Sequence, residues 1–209
     1  MPIYNGRRPC PCWLPCTARQ LYGFFVLWLS NNYAWRCLTG NALLPFFLRH
    51  AGSATHLDVG VGTGYYPSHS RWLRDSVDVT LIDLNPNTLQ KAAQRCVQEV
   101  VHDVFTPLPD HLKGKFDAVS MFYLLHCLPG KILRKPDGTL YGATILGKGV
   151  QHNFFGRTLM RLYNKKGIFG NIEDAEPDLR AALEKHFEDV EVRTVGVVAM
   201  FVGKTPRRA

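Results

Sequence analysis

The sequence predicts an α/β fold, with a largely parallel sheet covered on both faces and closed by an antiparallel hairpin. Three observations lead there. From residue 54 onward, short aliphatic or β-branched runs alternate with helical stretches. One of these runs leads directly into a loop with glycines at 60, 62 and 64. The last two runs are separated only by Val195-Gly196. Strands alternating with helices make a parallel sheet buried on both sides, whereas a two-residue connection joins only antiparallel neighbours.

Taken in order, residues 1–16 are rich in Pro and Cys and read as irregular. Thr17–Trp35 reads as a helix, with Leu21, Phe24, Phe25, Trp28 and Leu29 near a 3–4 spacing, and a second helix covers about Ala42–His50. His56–Gly60 is a short strand, Tyr66–Asp75 a helix and Asp78–Asp83 (DVTLID) a strand. Asn87–Cys96 is a helix opened by the cap signal Asn85-Pro86-Asn87. Val97–Val101, Asp117–Met121 and Leu140–Leu146 are strands, and Asp178–His186 is a helix. Val190–Thr194 and Val197–Val202 form the closing pair. Residues 1–53 therefore divide off as an arm with lid helices, and 54–209 as the main domain, within one globular unit.

Composition narrows the partners. The chain has 209 residues, 46% apolar and 20% charged, ordinary for a globular protein. Its 25 basic and 17 acidic residues leave a charge of +8, partly placed at the ends by Arg7, Arg8, Lys204, Arg207 and Arg208. No dense basic block with interleaved aromatics supports a nucleic-acid partner. Cys10, Cys12 and Cys16 lack a fourth ligand for a metal half-site, so no metal is expected. Leu21–Leu29 is far shorter than the roughly 20 residues of a membrane span. It lacks the small-residue cleavage site that a signal peptide needs, so the expected location is cytoplasmic.

The strongest motif is T-H-L-D-V-G-V-G-T-G-Y at 55–65. A dinucleotide fingerprint needs a small residue at position 65, where this chain has Tyr65, and its third glycine comes one residue early. A phosphate-binding P-loop is excluded because no Gly-Lys-Ser/Thr follows. The G-x-G-x-G spacing, with Asp58 two residues ahead, resembles motif I of the class I S-adenosylmethionine (SAM) dependent methyltransferases. The resemblance covers most of 54–202. It implies a doubly wound, Rossmann-like sheet of seven strands, the seventh antiparallel, with SAM as cofactor bound along Gly60, Gly62 and Gly64. Asp83 ends the second strand, 19 residues beyond Gly64, and by the resemblance binds the ribose. Leu84 and Asn85 then fall beside the adenine edge, Asp103 in V-V-H-D-V-F meets the adenine amino group, and Asp58 holds the methionyl ammonium. A single such acid reads equally well as a surface carboxylate or a helix cap. Three at strand ends, in the right order, favour a site.

Methyl transfer asks a protein to align donor and acceptor, exclude water and, where needed, remove a proton. The fourth strand runs into Met121–Pro129, whose L-H-x-L ending resembles that of small-molecule methyltransferases. His126 is the candidate base, with a structural histidine as the alternative, and Tyr123 lines the pocket. Two segments are candidate lids: the N-terminal aromatic helix with Tyr22, Trp28, Tyr33 and Trp35, and 147–171, where His152 leads a run of polar residues mixed with apolar ones. The absence of Asn-Pro-Pro-Tyr argues against methylation of nucleic-acid bases. A small-molecule O, N or carboxylate acceptor is expected, with a SAM-fold protein that transfers no methyl group as the alternative and a nucleic-acid methyltransferase third. One departure stands out. Only Pro129–Gly138 separates the fourth-strand region from the fifth strand, so the crossover helix is expected to be shortened.

Overall fold

The apolar runs pair as their alternation with helices requires. The computed structural model describes residues 24–51, 54–62, 64–70, 77–93, 98–128 and 138–207. The strands are β1 (Thr55–Val59), β2 (Asp78–Asp83), β3 (Gln98–Val101), β4 (Ala118–Phe122), β5 (Thr139–Ile145), β6 (Phe187–Val195) and β7 (Val198–Pro206). They form one seven-stranded sheet in the order β3-β2-β1-β4-β5-β7-β6. The first five run parallel, and β7 runs antiparallel to both β5 and β6.

Helices cover both faces: α1 (Phe24–Ala34), α2 (Leu44–His50), α3 (Tyr65–Ser68), α4 (Pro86–Ala93), α5 (Phe154–Lys165) and α6 (Glu176–Glu184). On one face Phe47, Tyr66, Leu81, Phe122 and Tyr141 form a core with α1, α2 and α5; on the other Leu57, Ile82, Val119, Phe187 and Phe201 pack with Leu183 of α6. Each such side chain contributes about 1.5–3 kcal/mol by leaving water. Local caps set the helix starts. Asn153 Oδ1 accepts the Gly156 N–H at 2.7 Å to open α5, and Asn85 Oδ1 accepts the Asn87 N–H at 3.0 Å to open α4.

Three expectations need correction. The N-terminal helix is wound with wide i→i+5 bonds as far as Ala34, and the Trp35 N–H reaches Ser30 O at 2.8 Å. This winding turns Ser30, Asn31 and Ala34 inward and leaves Trp28 and Tyr33 about half exposed, at 47% and 54%. Of the expected 3–4 stripe, Trp28 therefore faces outward, and the side chains of Leu21, Phe24 and Phe25 lie outside the described residues. Second, β4 stops at Phe122, so the connection to β5 is 123–138, with a 3₁₀ turn at Leu125–Cys127. That length exceeds the dozen residues a parallel crossover takes. Whether it contains a helix is a matter for 129–137, outside the described residues. Third, the hairpin strands reach nine residues each about a Gly196-Val197 turn, longer than the apolar runs suggest.

Cys10, Cys12, Cys16 and Tyr22 also lie outside the described residues, as does most of the expected helix after Tyr66. Among the described residues no helix is long and apolar enough to cross a membrane.

Candidate active site

Strand order reverses between β1 and β4, which opens a crevice beyond their C-terminal ends. The glycine loop sits at that crevice. Gly60, Gly62 and Gly64 have φ of +72°, +56° and +69°, a region that side chains other than glycine seldom adopt. The Gly60 N–H reaches Ile82 O at 2.8 Å and the Gly64 N–H reaches Val61 O at 3.0 Å, so the turn is tied to β2 and closed on itself. A Cβ on Gly64 would come within 2.9 Å of the Ala92 Cβ, which makes this glycine the contact between loop and α4. A Cβ on Gly62 would meet nothing closer than 4.0 Å, because that residue faces the open crevice.

Asp83, at the end of β2, accepts the Asn85 N–H at 2.9 Å. Burial raises its pKa, and the N–H groups of Asn85, Gly62 and Leu84 pull it back. The carboxylate thus already draws a glycine-loop amide toward itself.

Asp58 lies on β1 opposite Ser120 of β4 and is buried. Ser120 Oγ donates to Asp58 Oδ1, and His56 Nε2 lies 3.0 Å from Ser120 Oγ. The serine proton is committed to Asp58, so the His56 Nε2–H donates to the serine. Burial lowers the His56 pKa to about 4, keeping the ring neutral. The order carboxylate–serine–imidazole is not that of an acyl-transfer triad, where the carboxylate orients the histidine. Here the relay holds Asp58. Burial pushes the Asp58 carboxyl up to about 7, against the Ser120 hydrogen bond and with help from the nearby charge of Asp83. The two acids therefore lie within electrostatic reach of each other.

The other expected residues follow the ends of β2, β3, β4 and β5. Leu84 is exposed on the rim, and Asn85 Nδ2 is buried without a partner. Asp103, half-buried, accepts the Phe105 N–H at 2.9 Å. Tyr123 follows β4 in the left-handed region, at φ +56°, with its hydroxyl sealed from solvent and unpartnered. His126 is buried 4.4 Å from the Phe169 ring, Nδ1 without a partner, and burial lowers its pKa to about 3. Such a ring is neutral at pH 7 and a poor proton acceptor. His152 stands farther along the same strand-end edge. Its Nε2 meets Leu146 O at 2.9 Å, and it lines a cavity of about 480 Å³ with Arg157, Met160 and Asn164.

Sequence reasoning missed Ser120, His56, Tyr66 and Cys37. The first two are joined to Asp58 by strand register alone. Tyr66 and Cys37 look like core residues, and the one local clue is that Tyr66 lies two residues past the last loop glycine.

A methyltransferase-domain family model matches residues 57–135, from within β1 to past β4. The YbcY protein of Escherichia coli (strain K12) is 48% identical over 190 residues, 83% of this chain and 96% of the relative. The physcion biosynthesis cluster O-methyltransferase of Aspergillus chevalieri is 42% identical over 204 residues, 90% of this chain and 91% of the relative. The chain belongs to the class I SAM-dependent methyltransferases. Human N-acetylserotonin methyltransferase, solved in complex with SAM, superposes with a TM-score of 0.57 at 16% identity, over 91% of this chain and 56% of that one. At that identity the likeness speaks for the fold, which this methyltransferase shares over just over half of the human chain.

In this methyltransferase Gly64→Ala is expected to lower stability by about 2–4 kcal/mol in urea denaturation. Left-handed strain accounts for about 1–2 of this, and the close contact with Ala92 for the rest. Ala92→Gly should restore part of the loss. Gly62→Ala, with room for its methyl group, should cost only the strain.

Proposed function

We propose that the protein binds SAM across the C-terminal ends of β1 and β2 and methylates an O, N or carboxylate group of a small molecule. The observation that carries this reading is the pair of carboxylates, Asp58 and Asp83, near the C-terminal ends of the paired strands β1 and β2 and within electrostatic reach of each other beside the glycine loop. The residues present suit the cofactor. Asp58, raised toward neutrality by burial, gains from a cation beside it, as the methionyl ammonium would be. Asp83 is placed for the ribose hydroxyls, and the open backbone at Gly62 for close approach of the amino-acid tail. Asn85 Nδ2, buried and unpartnered, suits an acceptor atom on the adenine edge beside Leu84, with Asp103 taking the amino group. When bound, SAM supplies a methyl group activated by its sulfonium. Tyr123 and His152 line the acceptor side, and His126 serves as a neutral wall rather than as the base first expected. A small-molecule acceptor is supported by the similarity to an O-methyltransferase of a biosynthesis cluster. A cytoplasmic setting is supported by Cys37, whose buried thiol forms no disulfide among the described residues.

The test is thermal denaturation with SAM and with S-adenosylhomocysteine (SAH), its demethylated product, followed by mass spectrometry of reactions with metabolite extract. Ligand-dependent rises in Tm and a SAM-dependent product heavier by one methyl group are expected. No shift with either ligand would overturn the reading.

A further inference from the structure

We propose that Tyr123 and Tyr66 form a donor pair that orients the methyl acceptor, a molecule whose methylated hydroxyl stands beside a carbonyl, as in a phenol or enol flanked by a ketone. The inference rests on the reading that places SAM against Asp58 and Asp83.

Buried polar atoms in native proteins are nearly all hydrogen-bonded, and one left unpaired costs about 1–3 kcal/mol. Both phenolic oxygens are buried without a partner among the described residues. They stand where a ligand between the strand ends would meet them. Tyr66 is the second residue of α3, just past the glycine loop, and Tyr123 directly follows β4. Tyr66 lies within electrostatic reach of Asp58 and Cys37, and Tyr123 within reach of Tyr66 and Cys37. Tyr66 belongs to one apolar cluster and Tyr123 packs against it, and Cys37 is within reach of both phenols.

Backbone conformation singles out Tyr123 a second time. Its φ of +56° is a genuine outlier for a bulky side chain and costs about 1–3 kcal/mol. A glycine would remove the strain and a phenylalanine would remove the unpaired hydroxyl. A residue that carries both costs serves something other than folding. Burial raises both phenols well above 10, so they donate hydrogen bonds rather than carry charge. No basic side chain among the described residues acts on Tyr123, so the pair suits an uncharged oxygen better than a carboxylate. Two donors match two neighbouring oxygens. The walls are flat: the Phe122 ring lies 4.4 Å from Tyr66, and the His126 ring 5.8 Å from Tyr123. A planar acceptor fits them.

The test uses Tyr123→Phe and Tyr66→Phe in the full chain, with three readouts: Tm without ligand, SAH affinity, and binding of 2′-hydroxyacetophenone, whose phenol is ortho to its ketone, to the SAH-loaded protein. Both variants should melt above the wild type. Tyr123→Phe should keep SAH affinity within about twofold and weaken 2′-hydroxyacetophenone about 5–10-fold, as loss of one hydrogen bond does. A Tm at or below that of the wild type would give the hydroxyls partners within the protein and overturn the proposal. A tenfold loss of SAH affinity in Tyr123→Phe would overturn it by assigning that hydroxyl to the cofactor. It also fails if Tyr123→Phe leaves 2′-hydroxyacetophenone binding unchanged, or if the wild type binds that compound no better than acetophenone. Wild-type protein that binds no SAH would instead defeat the cofactor reading, while the ligand-free Tm still judges the hydroxyls.

Discussion

Asp58→Asn is expected to weaken SAH binding by about 3–5 kcal/mol while making the unliganded protein more stable at pH 8. The first effect is the cost of leaving a buried cation without its partner, and SAH carries the same ammonium as SAM. The second follows from linkage. The Asp58 carboxyl titrates near 7 in the folded protein and near 3.9 in an unfolded chain. Between those values the folded state binds more protons, so the contribution of Asp58 to stability is fully present below about pH 4 and is lost as pH rises through about 7. Buried His56 and His126, lowered to about 4 and about 3, act with the opposite sign: they cost stability in acid and recover it as pH rises. Only the difference between wild type and variant isolates Asp58. Urea denaturation at pH 5 and pH 8 should show the variant gaining on the wild type at the higher pH. In the wild type, SAH affinity should fall about tenfold per unit below pH 7, with proton uptake or release visible by calorimetry in buffers of different ionisation enthalpy. An affinity that is flat in pH and unchanged in Asp58→Asn would remove Asp58 from the ammonium site.

Legibility followed locality. The glycine loop and Asp83 could be read because each lies within a few residues of a recognisable strand end, and the loop's conformation depends on glycine itself. Strands β1, β2, β4 and β5 were readable because burial on both faces makes largely apolar runs. The edge strand β6 was not fully readable. Glu188, Asp189, Glu191 and Arg193 face solvent and interrupt its apolar pattern, while backbone pairing with β7 carries it from Phe187 to Val195. The relay beneath Asp58 was invisible for another reason. Ser120 and His56 meet because β1 and β4 pair in one register, with Asp58 opposite Ser120 and His56 opposite Ala118, and nothing in either segment announces that register. Tyr123 looked like a pocket residue from its place at a strand end. The strain in its backbone and the missing partner of its hydroxyl belong to the folded chain alone.

Asp83→Ala is expected to weaken SAH binding by about 1.5–3 kcal/mol, roughly 10–150-fold, the cost of losing hydrogen bonds to a charged acceptor. Affinity alone does not separate two causes. Asp83 also accepts the Asn85 N–H at 2.9 Å and draws on the amides of Gly62 and Leu84, so the variant loosens the loop meant to hold the amino-acid tail. A ligand lacking the ribose hydroxyls separates them. If Asp83 grips the ribose, a 2′,3′-dideoxy analogue of SAH binds the wild type more weakly than SAH does, and the two ligands bind Asp83→Ala alike. The coupling energy of that cycle belongs to the carboxylate–hydroxyl contact, because loosening of the loop affects both ligands equally. If instead Asp83 acts only by ordering Gly62, the analogue and SAH lose the same factor on mutation and the coupling vanishes. In that case the carboxylate at the end of β2 shapes the loop without touching the sugar, and the ribose contact must be sought elsewhere in the crevice.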